Sequence, residues 1–203
     1  MKAPKNRPWK VLKSEYVRQR PWCTVRLETL AMPDGRIVPE YYVFEYPDWV
    51  NVIATTRDGR LLLVSQYRHG LGETAYEIPA GCIEPADASP LAAAQRELKE
   101  ETGYGGGRWR QLTVVAPNPA TQNNRTYCFV AEGVERLGDQ QLDATEQIDI
   151  HLVTRDEVLD LLRTDRIRQA LMAAPLWRYL YEERTAASAQ DPEPSDVAET
   201  AEG

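Results

Sequence analysis

Residues 81–104 read GCIEPADASPLAAAQRELKEETGY, and the change within them from loop to helix organises what lies on either side. Ser89 is a helix-capping residue, and Pro90 suits a first helical position, where its missing N–H is no loss. Ala and Leu fill the middle and Gly103 ends the run, so a helix is expected from Ser89 to Thr102. On it Glu97 and Glu101 are four residues apart and Glu100 lies three from Glu97, which brings three carboxylates to one face. Like charges crowded together repel unless a cation joins them. Hard divalent ions take oxygen ligands and leave positions for phosphate oxygens and water, so the pattern points to phosphate chemistry. An acidic run is ordinarily a solvated helix face. The setting tells against that here, because Glu77-Ile78-Pro79-Ala80-Gly81 reads as a strand ending in a tight loop, which puts the carboxylates in a strand-loop-helix unit.

Before this unit the chain alternates in the manner of strands. Trp9, Val11, Tyr16 and Val17 are followed by Val25 and Leu27, then by Met32-Pro33-Asp34-Gly35, a hairpin signal. Residues 36–46 are rich in Val, Tyr and Phe. A second hairpin is expected where WVNVIATT and LLLVSQY flank Arg57-Asp58-Gly59. After the helix, strand-like runs return near 111–116, 126–131 and 147–153. Thr154, with Asp156 and Glu157, opens a helix through Leu162, and an amphipathic helix covers roughly 166–183, with Pro175 as a point of kinking or splitting. From 185 onward Ala, Ser, Glu, Asp and Pro dominate, which predicts a disordered acidic tail. No internal repeat is visible. Many strands, one central helix, more strands and a terminal helix fit an α+β chain with a mixed α/β sandwich better than a doubly wound sheet.

The length of 203 residues allows one domain with appendages. The expected division is an N-terminal antiparallel β segment (1–46), a main domain (47–184) and the tail (185–203). A formal charge of −7 disfavours a nucleic-acid surface, which needs clustered Lys and Arg, but leaves room for a small polyanion held by local arginines or metal ions. No apolar run approaches the roughly 18 to 20 residues that span a bilayer, and MKAPKNRPWK lacks a signal-peptide core, so a cytoplasmic protein without a membrane partner is expected. Cys23, Cys82 and Cys128 show no C-x-x-C spacing and read as small buried hydrophobes.

The segment from Gly81 to Tyr104 resembles the Nudix box, G-x5-E-x7-R-E-U-x-E-E-x-G-U with U a bulky apolar residue. The matching positions are Gly81, Arg96, Glu97, Leu98, Glu100, Glu101, Gly103 and Tyr104. Gly81 and Arg96 are fifteen apart where the pattern has fourteen, so one residue is inserted in the loop. Asp87 takes the loop-carboxylate position counted from the glycine and Ala88 counted from the arginine, which leads us to expect that carboxylate out of register. The resemblance implies a Nudix α/β/α sandwich with a mixed sheet, an Mg²⁺ or Mn²⁺ cofactor, and attack of activated water on phosphorus. It also implies Glu97, Glu100, Glu101 and the Ala80 carbonyl as metal ligands, with Arg96 and Glu100 among the catalytic groups and Arg96 orienting a carboxylate.

QYRHG at 66–70 followed by EIPAG at 77–81 is similar to the ADP-ribose and nucleoside diphosphate sugar pyrophosphatase branch of that family. The resemblance implies that Arg68 and Glu77 are substrate-binding residues, the planar fork of Arg68 meeting a diphosphate. His69 reads as a packing or surface residue. The branch takes its base from a glutamate loop after the box, here Asp143-Ala144-Thr145-Glu146-Gln147-Ile148, with Glu146 as base or additional metal ligand. Its members are often homodimers in which the N-terminal β segment crosses to the partner, making Trp9, Tyr16, Trp22 and Tyr42 wall or interface residues and Trp22 a substrate contact. The function implied is Mg²⁺-dependent hydrolysis of the pyrophosphate bond of ADP-ribose or a related nucleoside diphosphate sugar, giving a nucleoside monophosphate and a sugar phosphate. The alternatives are another nucleoside diphosphate derivative, such as GDP-mannose or a dinucleoside polyphosphate, and a non-catalytic regulator that binds a nucleotide sugar. The intact carboxylate trio speaks for an enzyme.

Overall fold

In a computed structural model, which describes residues 1–190, the strands and helices fall in the order β1 (Lys10–Arg20), β2 (Cys23–Ala31), β3 (Ile37–Glu45), β4 (Trp49–Thr56), β5 (Leu61–Arg68), β6 (Glu73–Glu77), β7 (Ala80–Cys82), α1 (Pro90–Thr102), β8 (Tyr104–Gly105), β9 (Arg108–Val115), β10 (Thr126–Arg136), β11 (Ile148–Val153), α2 (Arg155–Arg163) and α3 (Ala170–Gln190). β4 is buried along almost its whole length because both of its faces are covered. Val50, Val52 and Ala54 join Leu62 and Val64 of β5 against Ala93, Ala94 and Leu98 of α1. Ile53 turns the other way with Leu61 and Leu63, toward Val158, Leu161 and Leu162 of α2 and Leu176 and Leu180 of α3. The two-residue period of the strands thus supplies two cores at once, and the α/β/α sandwich follows.

The mixed sheet runs β11-β5-β4-β10-β8, with β6 beside β5, β7 beside β4 and β9 beside β10. β4 and β10 are parallel, with Val50 opposite Tyr127 and Asn51 opposite Cys128. β1, β2 and β3 form the expected separate antiparallel sheet. It is fastened to the main body where Phe44 N–H donates to the Thr121 carbonyl at 2.7 Å and the Tyr41 hydroxyl donates to the Ala120 carbonyl. The turn-rich loop at 117–124 is therefore engaged in holding that sheet. β1 itself is exposed from end to end.

Helix ends follow their local chemistry. Ser89 Oγ accepts from Ala92 N–H at 3.1 Å, and Gly103, at φ 72°, closes α1 in the left-handed conformation that glycine adopts freely. Thr154 and Glu157 form a reciprocal capping box on α2. α3 passes through Pro175 as one element. Proline has no N–H to offer the carbonyl four residues back, and the Asn51 amide of β4 supplies the missing donor, Nδ2 to Leu171 O at 2.7 Å. The helix begins at Ala170 rather than 166 and continues to Gln190, so the tail expected from 185 has its first residues in α3. The Ala-rich run after Thr185 has the propensity to extend a helix already nucleated by its packed half. The remainder of the expected tail, 191–203, lies outside the described residues.

Of the three cysteines only Cys128 is buried; Cys82 is half-buried and Cys23 is exposed at the start of β2, so burial was the wrong expectation for Cys23. No helix among the described residues is long and apolar enough to cross a membrane.

Leu98 is fully buried between α1 and the sheet, so Leu98→Ala should lower unfolding free energy by about 2 to 5 kcal/mol. In a urea titration the midpoint should fall with the slope unchanged. An unshifted midpoint would show that α1 is not anchored by this contact.

Candidate active site

The carboxylate face of α1 lies against β7. Gly81 is a point of close approach: a Cβ there would stand 2.1 Å from the Glu97 carboxyl carbon, so a larger residue would displace that carboxylate from where it now lies. Glu101 is deeper, 4% exposed, and accepts the Ala80 N–H at 2.9 Å. Its backbone carbonyl accepts from Gln140 Nε2 at 2.6 Å, and the same nitrogen donates to Ile148 O at 3.1 Å, which pins the end of α1 to the approach of β11.

Arg96 joins the loop to the helix. Nε and Nη2 donate to the two oxygens of Asp87 at 3.1 and 2.9 Å, Nη2 also to the Cys82 carbonyl at 2.9 Å, and Nη1 to Glu97 and Glu100, each at 2.9 Å. This pairing holds the Asp87 carboxyl below its ordinary range. The expectation that Asp87 is out of register is thus wrong. The longer loop does not keep the Asp87 carboxylate from Arg96, and Ser89, extended at φ −165° and ψ 164°, then caps the helix.

A cleft of about 390 Å³ opens above these groups. Arg68, Ala80, Arg96, Glu97, Glu100, Glu101 and Glu146 all line it, so β5, β7, α1 and the loop before β11 converge there. Gln66, Gln141 and Asp143 line it too and were not singled out from sequence. Glu146 is oriented by the Asp143 N–H, which donates to its Oε2 at 3.0 Å. Glu77 is not among the lining residues: it is 1% exposed, and its oxygens accept from Arg68 Nε at 2.7 Å and Nη2 at 2.5 Å. Its place is behind Arg68, and the direct substrate contact expected of it is replaced by orientation of that guanidinium. Trp22 is 69% exposed at the β1–β2 turn, with φ 63°, and does not line the cleft of its own chain. His69 is exposed beside Tyr67 and lines no part of the cleft.

Charge in the cleft is unbalanced. Burial pushes the Glu97 carboxyl up from 4.5 to about 7, the opposing effect of Arg96 notwithstanding, and pushes Glu101 up to about 8. As the side chains stand, no three acidic, His or Cys groups among the described residues meet in a metal-holding cluster. Arg96 engages Glu97 and Glu100, while Glu101 turns to the Ala80 N–H. The donor set nonetheless fits a hard divalent cation, being carboxylate oxygens gathered on one cleft, two of them destabilised in their charged form by burial.

A family model described as the NUDIX domain matches residues 45–174, and one described as the nucleoside diphosphate sugar hydrolase N-terminal domain matches 9–44. The chain is 30% identical over 148 residues to an ADP-ribose pyrophosphatase of Bacillus subtilis strain 168, covering 72% of this chain and 79% of that one. It is also 30% identical over 159 residues to a methanol dehydrogenase activator of Bacillus methanolicus, covering 78% and 85%. A crystal structure of ADP compounds hydrolase superposes with a TM-score of 0.78 at 22% identity, over 93% of this chain and 100% of that chain, which is a likeness of fold.

Because the folded protein raises the pKa of Glu97 and Glu101 from 4.5, it binds their protons more tightly than the unfolded chain does. These groups therefore favour folding at low pH and withdraw stability as pH climbs from about 4.5 toward 8. In EDTA the melting temperature should drop between about pH 5 and pH 8, and a divalent cation should restore more of it at the higher pH. Equal stabilisation by the cation at both pH values would contradict this electrostatic account.

Proposed function

The chain belongs to the Nudix family, and from that premise we propose that its cleft hydrolyses the pyrophosphate bond of ADP-ribose or a related nucleoside diphosphate sugar, yielding a nucleoside monophosphate and a sugar phosphate. The observation that carries the reading is the convergence of Glu97, Glu100, Glu101 and Glu146 on one cleft beside the cation of Arg68. The N-terminal match and the names of the relatives support the substrate class. The expected metal is Mg²⁺ or Mn²⁺. Glu97, Glu100 and Glu101, with the Ala80 carbonyl, would hold it, and it would supply positive charge against phosphate oxygens and acidify water.

The residues have separable tasks. Glu77 engages Nε and Nη2 of Arg68, which leaves Nη1 of the fixed guanidinium for a diphosphate oxygen. Glu146, whose Oε2 accepts the Asp143 N–H, would take the proton of the attacking water or add a further ligand. Arg96 keeps Glu97 and Glu100 in place and prevents their mutual repulsion from splaying the site. The negative charge of the chain makes RNA a poor substrate beside a small diphosphate.

Two copies are proposed to act together. β1 is exposed along its length, and Trp9, Tyr16, Trp22, Tyr42 and Phe44 are all exposed on or beside the N-terminal sheet, apolar surface that a second copy would cover. In a homodimer Trp22 would enter the pocket of the second copy.

With Mg²⁺, the purified protein should convert ADP-ribose to AMP and ribose 5-phosphate, and EDTA should abolish turnover. Glu101→Gln should reduce kcat by about 10²- to 10³-fold without loss of melting temperature in EDTA above about pH 8, where the Glu101 carboxyl otherwise carries a buried charge. Undiminished turnover by this variant, or full activity in metal-free buffer, would overturn the assignment. Light scattering should report a dimer, and removal of residues 1–46 should eliminate both dimer and activity; an active monomer would contradict the proposed assembly.

A further inference from the structure

A second cavity, of about 300 Å³, adjoins the carboxylate cleft and shares Arg68, Ala80, Gly81 and Cys82 with it. It lies between β4, the start of β10 and the start of α3. Trp49, Leu171 and Met172 give it apolar walls, and Asn51, Thr126 and Gln169 are its uncharged polar lining. Asn51 is 0% and Thr126 1% exposed. Asn51 Oδ1, Thr126 Oγ1 and Gln169 Oε1 are all buried, and none has a hydrogen-bond partner among the described residues. Buried polar atoms are nearly always paired, because an unpaired one forfeits its hydration. Three such oxygens around one cavity are explained by a ligand that completes them.

The chemistry of that ligand can be read from the lining. The Asn51 amide has only one orientation open to it, since its nitrogen donates to the Leu171 carbonyl that Pro175 leaves without a partner. Its oxygen is thus an acceptor, as is that of Gln169, and Thr126 can accept as well. A group that fits must bring several donors. Hydroxyls on adjacent carbons each bring one, whereas the hydrogen-bonding edge of adenine alternates donors with acceptors and would set acceptor against acceptor. The indole of Trp49 adds a flat apolar wall of the kind a sugar ring packs on.

We infer that this cavity is the subsite for the sugar unit beyond the diphosphate, its hydroxyls donating to Asn51, Thr126 and Gln169. The inference rests on the hydrolase reading above, which puts the diphosphate at the junction of the two cavities, beside the shared Arg68. These three are specificity residues and take no part in the bond cleavage.

The test compares kcat/KM, with Mg²⁺, for ADP-ribose against adenosine diphosphate esterified with a simple alkyl alcohol, and repeats the pair with uridine in place of adenosine. The wild type should prefer the sugar substrate. Thr126→Val and Gln169→Met should each lower that preference about 10-fold or more, by the same factor for both bases. Thr126→Val should melt no lower than wild type, because it removes a buried hydroxyl that has no partner. An unchanged preference, or a loss that follows the base instead of the sugar, would overturn the inference. Calorimetric titration of ribose 5-phosphate into the metal-free protein tests the subsite apart from catalysis: binding by the wild type that weakens in both variants supports it, and equal or absent binding refutes it. Failure of the wild type to cleave any of the diphosphates would count against the hydrolase reading alone, with the titration still deciding the subsite.

Discussion

The guanidinium of Arg96 is the contact on which the carboxylate cleft depends. Five hydrogen bonds from one planar group reach the loop carboxylate Asp87, the Cys82 carbonyl at the end of β7, and Glu97 and Glu100 on α1. Three segments are thereby set in register by one side chain. An ammonium could not replace it, since the geometry needs a planar fork with donors on more than one edge. The same group limits repulsion between Glu97 and Glu100. It does not neutralise the site, because Asp87, Glu97, Glu100 and Glu101 together outnumber it, and Arg68 is already balanced by Glu77. Burial raises the pKa values of Glu97 and Glu101, and the neighbouring carboxylates add to the rise.

Such an arrangement is costly in the absence of a cation and favourable in its presence, so stability and function pull in opposite directions at α1. What resists the repulsion is apolar: Ala93, Ala94 and Leu98 on the inner face of the same helix are fully buried against the sheet. The helix is thus held by one face so that the other can carry charge. Gly81 completes the bargain between the two, since only a residue without a side chain lets β7 come as near to the Glu97 carboxylate as it does.

The helix and its carboxylate face were legible from 81–104 because a cap, a first-turn proline, a terminal glycine and the three- and four-residue spacings all act within a few residues. The hairpins were legible for the same reason. What the sequence concealed depends on contacts across the fold. The role of Asp87 turned on where an inserted residue would be absorbed, and counting alone could not choose between the glycine and the arginine as origin. Glu77 sits within the motif that suggested a substrate contact, yet the alternation of β6 turns it inward against Arg68. Gln140 carries no local signal at all: its partners are backbone carbonyls of Glu101 and Ile148, brought together only by the tertiary structure. The Ala-rich start of the tail was judged by its lack of large apolar residues, a criterion that overlooks propagation from a helix already packed.

Asn51 shows how one polar residue in a buried strand can serve both the fold and a ligand. Between Val50 and Val52 it stands on the face shared with Ile53, against α3, where an apolar residue would be the simpler choice. Pro175 makes the difference, because its missing N–H leaves the Leu171 carbonyl open inside the protein, and the Asn51 amide closes it. That bond fixes the start of α3, and with it Gln169, Leu171 and Met172, beside Trp49. The amide nitrogen is then committed to structure and the amide oxygen is left over, in a cavity that the Arg68 side chain also lines. A leucine at 51 would leave the carbonyl unpaired, and an aspartate would meet it with another acceptor. Asparagine thus suits position 51 through its two unlike ends, one holding the start of α3 and the other left unpaired in the wall of the cavity.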